Sequence, residues 1–113
     1  MSNFLQKVNE HKKLFPLADL ANQLLKLEEE LNEVKTANKL SHKIEELADC
    51  IICCIGIYRF APETANFIVK SILAQYDDYV PEIYEAVENK WQINLNRKWE
   101  YKNGKYHHIK EFN

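Results

Sequence analysis

From Leu47 to Tyr58 the chain reads LADCIICCIGIY, and Asp49 is the only charged residue in that run. A helix that is apolar on every side must be buried on every side. The rest of the chain therefore has to fold around this segment. At 113 residues there is material for one small domain with a modest core, so a single unit over 1–113 is expected. The apolar run is too short to cross a bilayer. The opening MSNFLQKVNEHKK has no long apolar stretch, so no secretory signal is expected.

The three cysteines, Cys50, Cys53 and Cys54, all fall inside this run. An odd, clustered set does not make a disulfide framework. Zinc needs four ligands, and Cys50-x-x-Cys53 has no second cysteine pair to work with, only His107-His108. The cysteines read as small core residues. Their reduced state points to the cytoplasm. A net charge of −2 and the lack of a basic tail give no reason to expect a nucleic-acid polymer or an acidic membrane as partner.

Five helices are expected, the central one among them. The first covers Phe4–Leu14 and stops at Pro16. The second covers Leu17–Ala37, where Leu20, Leu24, Leu27, Leu31 and Val34 form a packing stripe. The third runs from Ser41, as N-cap, to Phe60. Its apolar face is Ile44, Leu47, Ile51, Cys54, Ile55 and Tyr58; a second stripe is Glu46, Asp49, Cys53, Gly56 and Phe60. Ala61-Pro62 ends it. A fourth helix spans Glu63–Tyr76, Asp77-Asp78 turns the chain, and Pro81 opens a fifth that reaches Arg97. Residues 99–109 then read as a β-hairpin, with Asn103-Gly104 as its two-residue turn. The fold class is all-α: a four- to five-helix bundle with a short C-terminal β-hairpin.

Two acidic pairs stand out, Glu30-x-x-Glu33 and Glu46-x-x-Asp49. At this spacing both members of a pair share a helix face. Four hard oxygen ligands from two helices suit Mg²⁺ or Mn²⁺. A ferritin-like di-iron site would need Glu-x-x-His on two helices, and no acid here has a histidine three residues on. Two readings of the acids stand side by side: a metal site, or ordinary solvated helix faces. Asp49 fits the second poorly, because a carboxylate inside an apolar run needs a cation or hydrogen-bond donors.

The fifth helix carries the opposite charge. Ile83, Val87, Lys90, Asn94 and Arg97 recur every four and three residues. The last three offer an ammonium, an amide and a guanidinium, all suited to phosphate oxygens. Cations also collect at helix C-termini for the sake of the dipole. Trp91, Trp99, Tyr101 and Tyr106 can stack on a base or simply pack. His107 and His108 face opposite sides of a strand, so one at most points at a site. His11 and His42 have no evident partner.

Glu29-Glu30-Leu-Asn-Glu33, Glu45-Glu46-Leu-Ala-Asp49 and Lys90-x-x-x-Asn94-x-x-Arg97-x-Trp99 occur in that order over Leu17–Trp99. The constellation resembles the MazG-like, all-α NTP pyrophosphatase superfamily, which includes dimeric dUTPases, dCTP pyrophosphatases and phosphoribosyl-ATP pyrophosphohydrolases. The tail, with its Gly turn and His-His, looks like that of the small bacterial and phage members. The resemblance implies Mg²⁺-dependent hydrolysis of a nucleoside triphosphate to monophosphate and diphosphate, in the service of nucleotide-pool cleansing. It implies metal ligation by Glu30, Glu33, Glu46 and Asp49, with Glu33 also orienting or deprotonating water. It implies phosphate binding by Lys90, Asn94 and Arg97, base stacking at Trp99, and a homodimer or homotetramer. The interval from Asp49 to Lys90 is longer than in the shortest members, with the excess around Pro62–Pro81. Two rival readings are a non-catalytic helical bundle that binds a partner or nucleotide, and an activity like that of the phosphoribosyl-ATP enzymes.

Overall fold

The computed structural model describes residues 3–110; residues 1–2 and 111–113 of the expected single unit lie outside them. Five α-helices and a two-stranded antiparallel hairpin follow in chain order: α1 (Phe4–Leu14), α2 (Leu20–Thr36), α3 (Leu40–Tyr58), α4 (Pro62–Gln75), α5 (Val80–Asn96), β1 (Lys98–Lys102) and β2 (Lys105–Ile109). A single 3-10 turn, Asp77–Tyr79, joins α4 to α5. The helical bundle with its short hairpin is the fold the sequence leads one to expect.

Helix α3 is the axis. Ala48, Cys50, Ile51, Cys54, Ile55 and Ile57 are completely buried, because α1, α2, α4 and α5 all pack against it. All three cysteines are free and buried, and burial pushes the Cys50 and Cys54 thiols up to about 12. They are therefore inert core residues rather than nucleophiles. One core joins Leu27, Val34, Leu47, Ile51, Ile83 and Val87; a second, smaller one joins Val8, Ile55 and Trp91. No helix among the described residues is long and apolar enough to cross a membrane.

Several boundaries differ from expectation, each for a local reason. Helix α2 starts at Leu20 rather than Leu17, because the Asp19 side chain caps it by accepting a bond from the Asn22 N–H at 2.8 Å. Lys39, not Ser41, holds the N-cap position of α3, and Ser41 lies inside the helix. Helix α3 closes at Tyr58, two residues before Phe60. Helix α5 ends at Asn96, so Arg97 is extended backbone just beyond it.

The packing stripe of α2 is also rotated. Leu27 and Val34 are buried, but Leu24 and Leu31 remain 41% and 38% exposed. The face turned inward is Leu20, Gln23, Leu27, Glu30 and Val34, and it carries two polar side chains.

The hairpin pairs Trp99 with His108 and Tyr101 with Tyr106. Asn103 and Gly104 both have positive φ, 55° and 78°, which is the two-residue turn that such a hairpin favours. A lone hairpin is marginal. This one is tied to the α1–α2 connection: the Leu17 N–H donates to Tyr106 Oη at 2.8 Å, and Asn22 Nδ2 donates to the Gly104 carbonyl at 2.7 Å. Phe15 packs edge-on against both Trp99 and Tyr106.

Candidate metal and nucleotide site

A short connection, residues 37–39, makes α2 and α3 an antiparallel helical pair. The second half of α2 therefore lies beside the first half of α3. This brings Glu30 and Glu33 to Glu46, with one carboxylate oxygen from each within 4.8 Å of the others. Glu30 is only 7% exposed, Glu46 is half-buried and Glu33 faces outward.

So close together, the three carboxyls oppose one another's ionisation. Burial, then the contact with Glu46 and the charge of Asp49, pushes Glu30 up to about 8. Glu46 is raised by burial and by its contact with Glu33. Glu33 is held below the usual carboxylate range because it accepts hydrogen bonds from Glu46 and Glu30. Glu30 Oε2 and Glu46 Oε2 are buried with no N–H or O–H donor against them. Buried acceptors left unpaired cost about 1–3 kcal/mol each. Lys26 Nζ is 3.6 Å from Glu30 Oε1, on an exposed side chain, and the Lys90 charge also reaches Glu33. The three carboxyls are a donor set of the hard-oxygen kind that could hold a metal ion.

Asp49, the fourth acid, is one turn further along α3 and is not in this group. Lys90 Nζ donates to its two oxygens at 3.1 and 3.0 Å. Burial raises the Asp49 carboxyl, and the Lys90 bond opposes that rise. Asp49, inside its apolar run, finds the cation it needs in Lys90.

Two clefts flank this line of charge. One, about 410 Å³, is lined by Asp49, Lys90, Asn94 and Arg97 together with Glu45 and Asn89. The expected cationic stripe does come together there, although Arg97 has left the helix. The other, about 340 Å³, lies between α1, α2, α3, α5 and the hairpin. Lys26, Cys53, Trp91, Trp99 and His107 are on its walls, and Asn94 borders both clefts.

The aromatic candidates are mostly committed to packing. Trp91 is buried, and its Nε1–H donates to Glu10 Oε1 at 3.0 Å. Trp99 Nε1–H donates to the Asn94 carbonyl, which ties the hairpin to the end of α5. Of the two hairpin histidines, His107 lines the second cleft and His108 lies against Trp99.

Two residues of this cleft had no signal in the spacing of motifs. His11 is buried and, contrary to expectation, has partners: Arg59, Phe15 and Trp91. Gln23 sits over Gly56. A buried histidine and a glycine inside an otherwise bulky helix were the only hints. No protein-family model, curated protein or solved structure matches the chain.

Proposed function

We propose that the protein is a Mg²⁺-dependent nucleoside triphosphate pyrophosphohydrolase, converting a (deoxy)nucleoside triphosphate and water to the monophosphate and diphosphate. The observation that carries this reading is the Glu30, Glu33 and Glu46 cluster, with two buried oxygens lacking donors, next to a cleft lined by Lys90, Asn94 and Arg97. The motif order it shares with the MazG-like pattern supports the same reading. Pool cleansing in the cytoplasm, and assembly as a homodimer or homotetramer, belong to this proposal.

The donor set fits the ion. Mg²⁺ takes oxygen ligands, and Mn²⁺ is the natural substitute. Glu30, Glu33, Glu46 and Asp49 would hold it; when bound, such an ion neutralises phosphate charge and acidifies water. Lys90, bonded to Asp49 in this structure, is the ammonium that would meet a phosphate oxygen. Asn94 donates its amide N–H, and Arg97 adds a guanidinium fork. Together they stabilise charge as it builds on the leaving diphosphate. Glu33 is the exposed, ionised member of the cluster, so it takes the proton of the attacking water. The water oxygen bonds to phosphorus, and the α–β anhydride bond breaks. Trp99 borders the neighbouring cleft, where the base would lie.

A panel of nucleoside triphosphates with Mg²⁺, assayed for diphosphate against orthophosphate, tests the proposal. Diphosphate should be the product, and Glu46→Gln or Asp49→Asn should lower turnover at least 100-fold while circular dichroism stays unchanged. Near wild-type turnover in both variants would reject the metal assignment. No diphosphate from any substrate would leave a bundle that binds without cleaving.

A further inference from the structure

The floor of the 340 Å³ cleft carries a hydrogen-bonding pair whose orientation is fixed from behind. His11 is 96% buried on α1. Arg59 Nη1 lies 3.0 Å from its Nδ1, and the same nitrogen donates to the Phe15 carbonyl at 2.8 Å. A guanidinium has donors only, so Nδ1 must accept. Burial and the Arg59 charge lower His11 to about 4, so the ring is neutral at physiological pH. The single remaining proton is on Nε2, on the side of the ring that meets Gly56, and His11 borders the cleft.

Gly56 lets this ring edge and Gln23 approach the α3 backbone. A Cβ at this position would stand 2.9 Å from His11 Nε2 and 2.4 Å from Gln23 Oε1. Glycine in a helix interior costs about 0.5–1 kcal/mol relative to alanine. Here it leaves room for the imidazole Nε2 and the Gln23 amide to lie against the same point of α3. Among the described residues nothing bonds to the Gln23 amide, and His11 Nε2 has no partner of its own. Both groups border the cleft, with the Trp91 ring nearly parallel to the imidazole at 12°.

We propose that Arg59 is a positioning residue that fixes His11 as an Nε2–H donor, and that this donor and the Gln23 amide read the edge of a flat heterocyclic base. The ligand class rests on the nucleotide reading above; the donor geometry does not. A fixed N–H beside an amide selects a ring edge with an acceptor next to a donor–acceptor pair. It rejects a ring with a donor at the first position, because two N–H groups would then meet without water.

The test uses the full chain labelled with ¹⁵N-histidine and ¹⁵N-glutamine. Long-range proton–nitrogen spectra should show the His11 proton on Nε2. Without Mg²⁺, at least one of adenosine, guanosine, cytidine and uridine should shift both His11 Nε2 and the Gln23 amide. Arg59→Met should mix the tautomers and flatten the ratio of kcat/KM between best and worst bases at least tenfold; Arg59→Lys, which still only donates, should restore it. If Arg59→Met does not fold, His11→Phe, which keeps a flat ring without a donor, should flatten the same ratio. A proton on Nδ1 in the wild type overturns the proposal. So does turnover with unchanged base preference in His11→Phe, and so do unmoved His11 and Gln23 signals with every nucleoside and nucleoside triphosphate. A nucleoside that shifts both signals in a protein that releases no diphosphate removes the hydrolase reading and leaves this one standing.

Discussion

Glu30 is a carboxyl placed in the core with one oxygen that has no hydrogen-bond partner. It occupies an inward position of α2 that Leu or Ala would fill at no electrostatic cost, and one of its oxygens has no donor. Replacing it should therefore stabilise the metal-free protein. Glu30→Gln brings an amide N–H that can donate to Glu46 or Glu33, and removes one member of a crowded set of acids. Urea denaturation without metal should show a gain of about 1 kcal/mol. On the proposed metal reading, Mg²⁺ should stabilise the wild type and not this variant. A loss of metal-free stability in Glu30→Gln would mean that the carboxyl is a structural group satisfied within the fold. The opposite trade, stability given up for a poised site, is common where function demands strained groups.

At the scale of elements, α3 and the hairpin make separate claims on the same cleft. Gly56→Ala raises the helix propensity of α3 by about 1 kcal/mol, while its methyl meets the movable end of Gln23 and the ring edge of His11. The Gln23 end can swing aside, so the fold should persist with stability within about 1 kcal/mol of wild type. Base discrimination should fall in the same variant, as read by the ratio of kcat/KM values across bases. Tyr106→Phe addresses the hairpin. It removes the one hydroxyl that accepts the Leu17 N–H, and should cost about 1 kcal/mol in urea denaturation. Helix order, the Asn-Gly turn and both acidic pairs were legible in the sequence, because periodicity and spacing are local properties. The rotation of α2 was not. The sequence favours Leu20, Leu24, Leu27, Leu31 and Val34 as its inner stripe, but Gln23 and Glu30 take inward places. A hydrophobic pattern treats inward polar residues as errors, whereas a binding site needs them. Asp49 shows the same limit: its place in an apolar run demanded a partner, and only the packing of α5 reveals Lys90. Arg59 and His11 are far apart in sequence, each unremarkable alone, so their contact had no sequence signature.

For the molecule as a whole, metal, protons and stability are linked through two buried groups of opposite sign. Glu30 lies at about 8 in the folded protein against an ordinary 4.5. Between these values the folded state keeps a proton that the unfolded chain has lost, so Glu30 makes stability fall as pH rises. His11 lies at about 4 against an ordinary 6.5. In that window the unfolded chain binds the extra proton, so His11 makes stability rise with pH. The two effects oppose each other between pH 4.5 and 6.5, and only the Glu30 effect persists from 6.5 to 8. The metal-free protein should therefore lose thermal stability over that upper range. Mg²⁺ must displace the Glu30 proton to bind, so its affinity should climb with pH, by up to about tenfold per unit, and level off above 8. Calorimetry in two buffers of different protonation enthalpy should detect up to one proton released per ion at pH 7 and almost none at pH 9. In Glu30→Gln the proton release and the pH dependence should both shrink; in His11→Phe the upper range should be unaffected while the lower one steepens downward. A metal-free stability that is flat from pH 6.5 to 8, together with proton-independent Mg²⁺ binding, would show that Glu30 is already ionised. In that case the carboxyl cluster does not hold its charge in reserve for a cation.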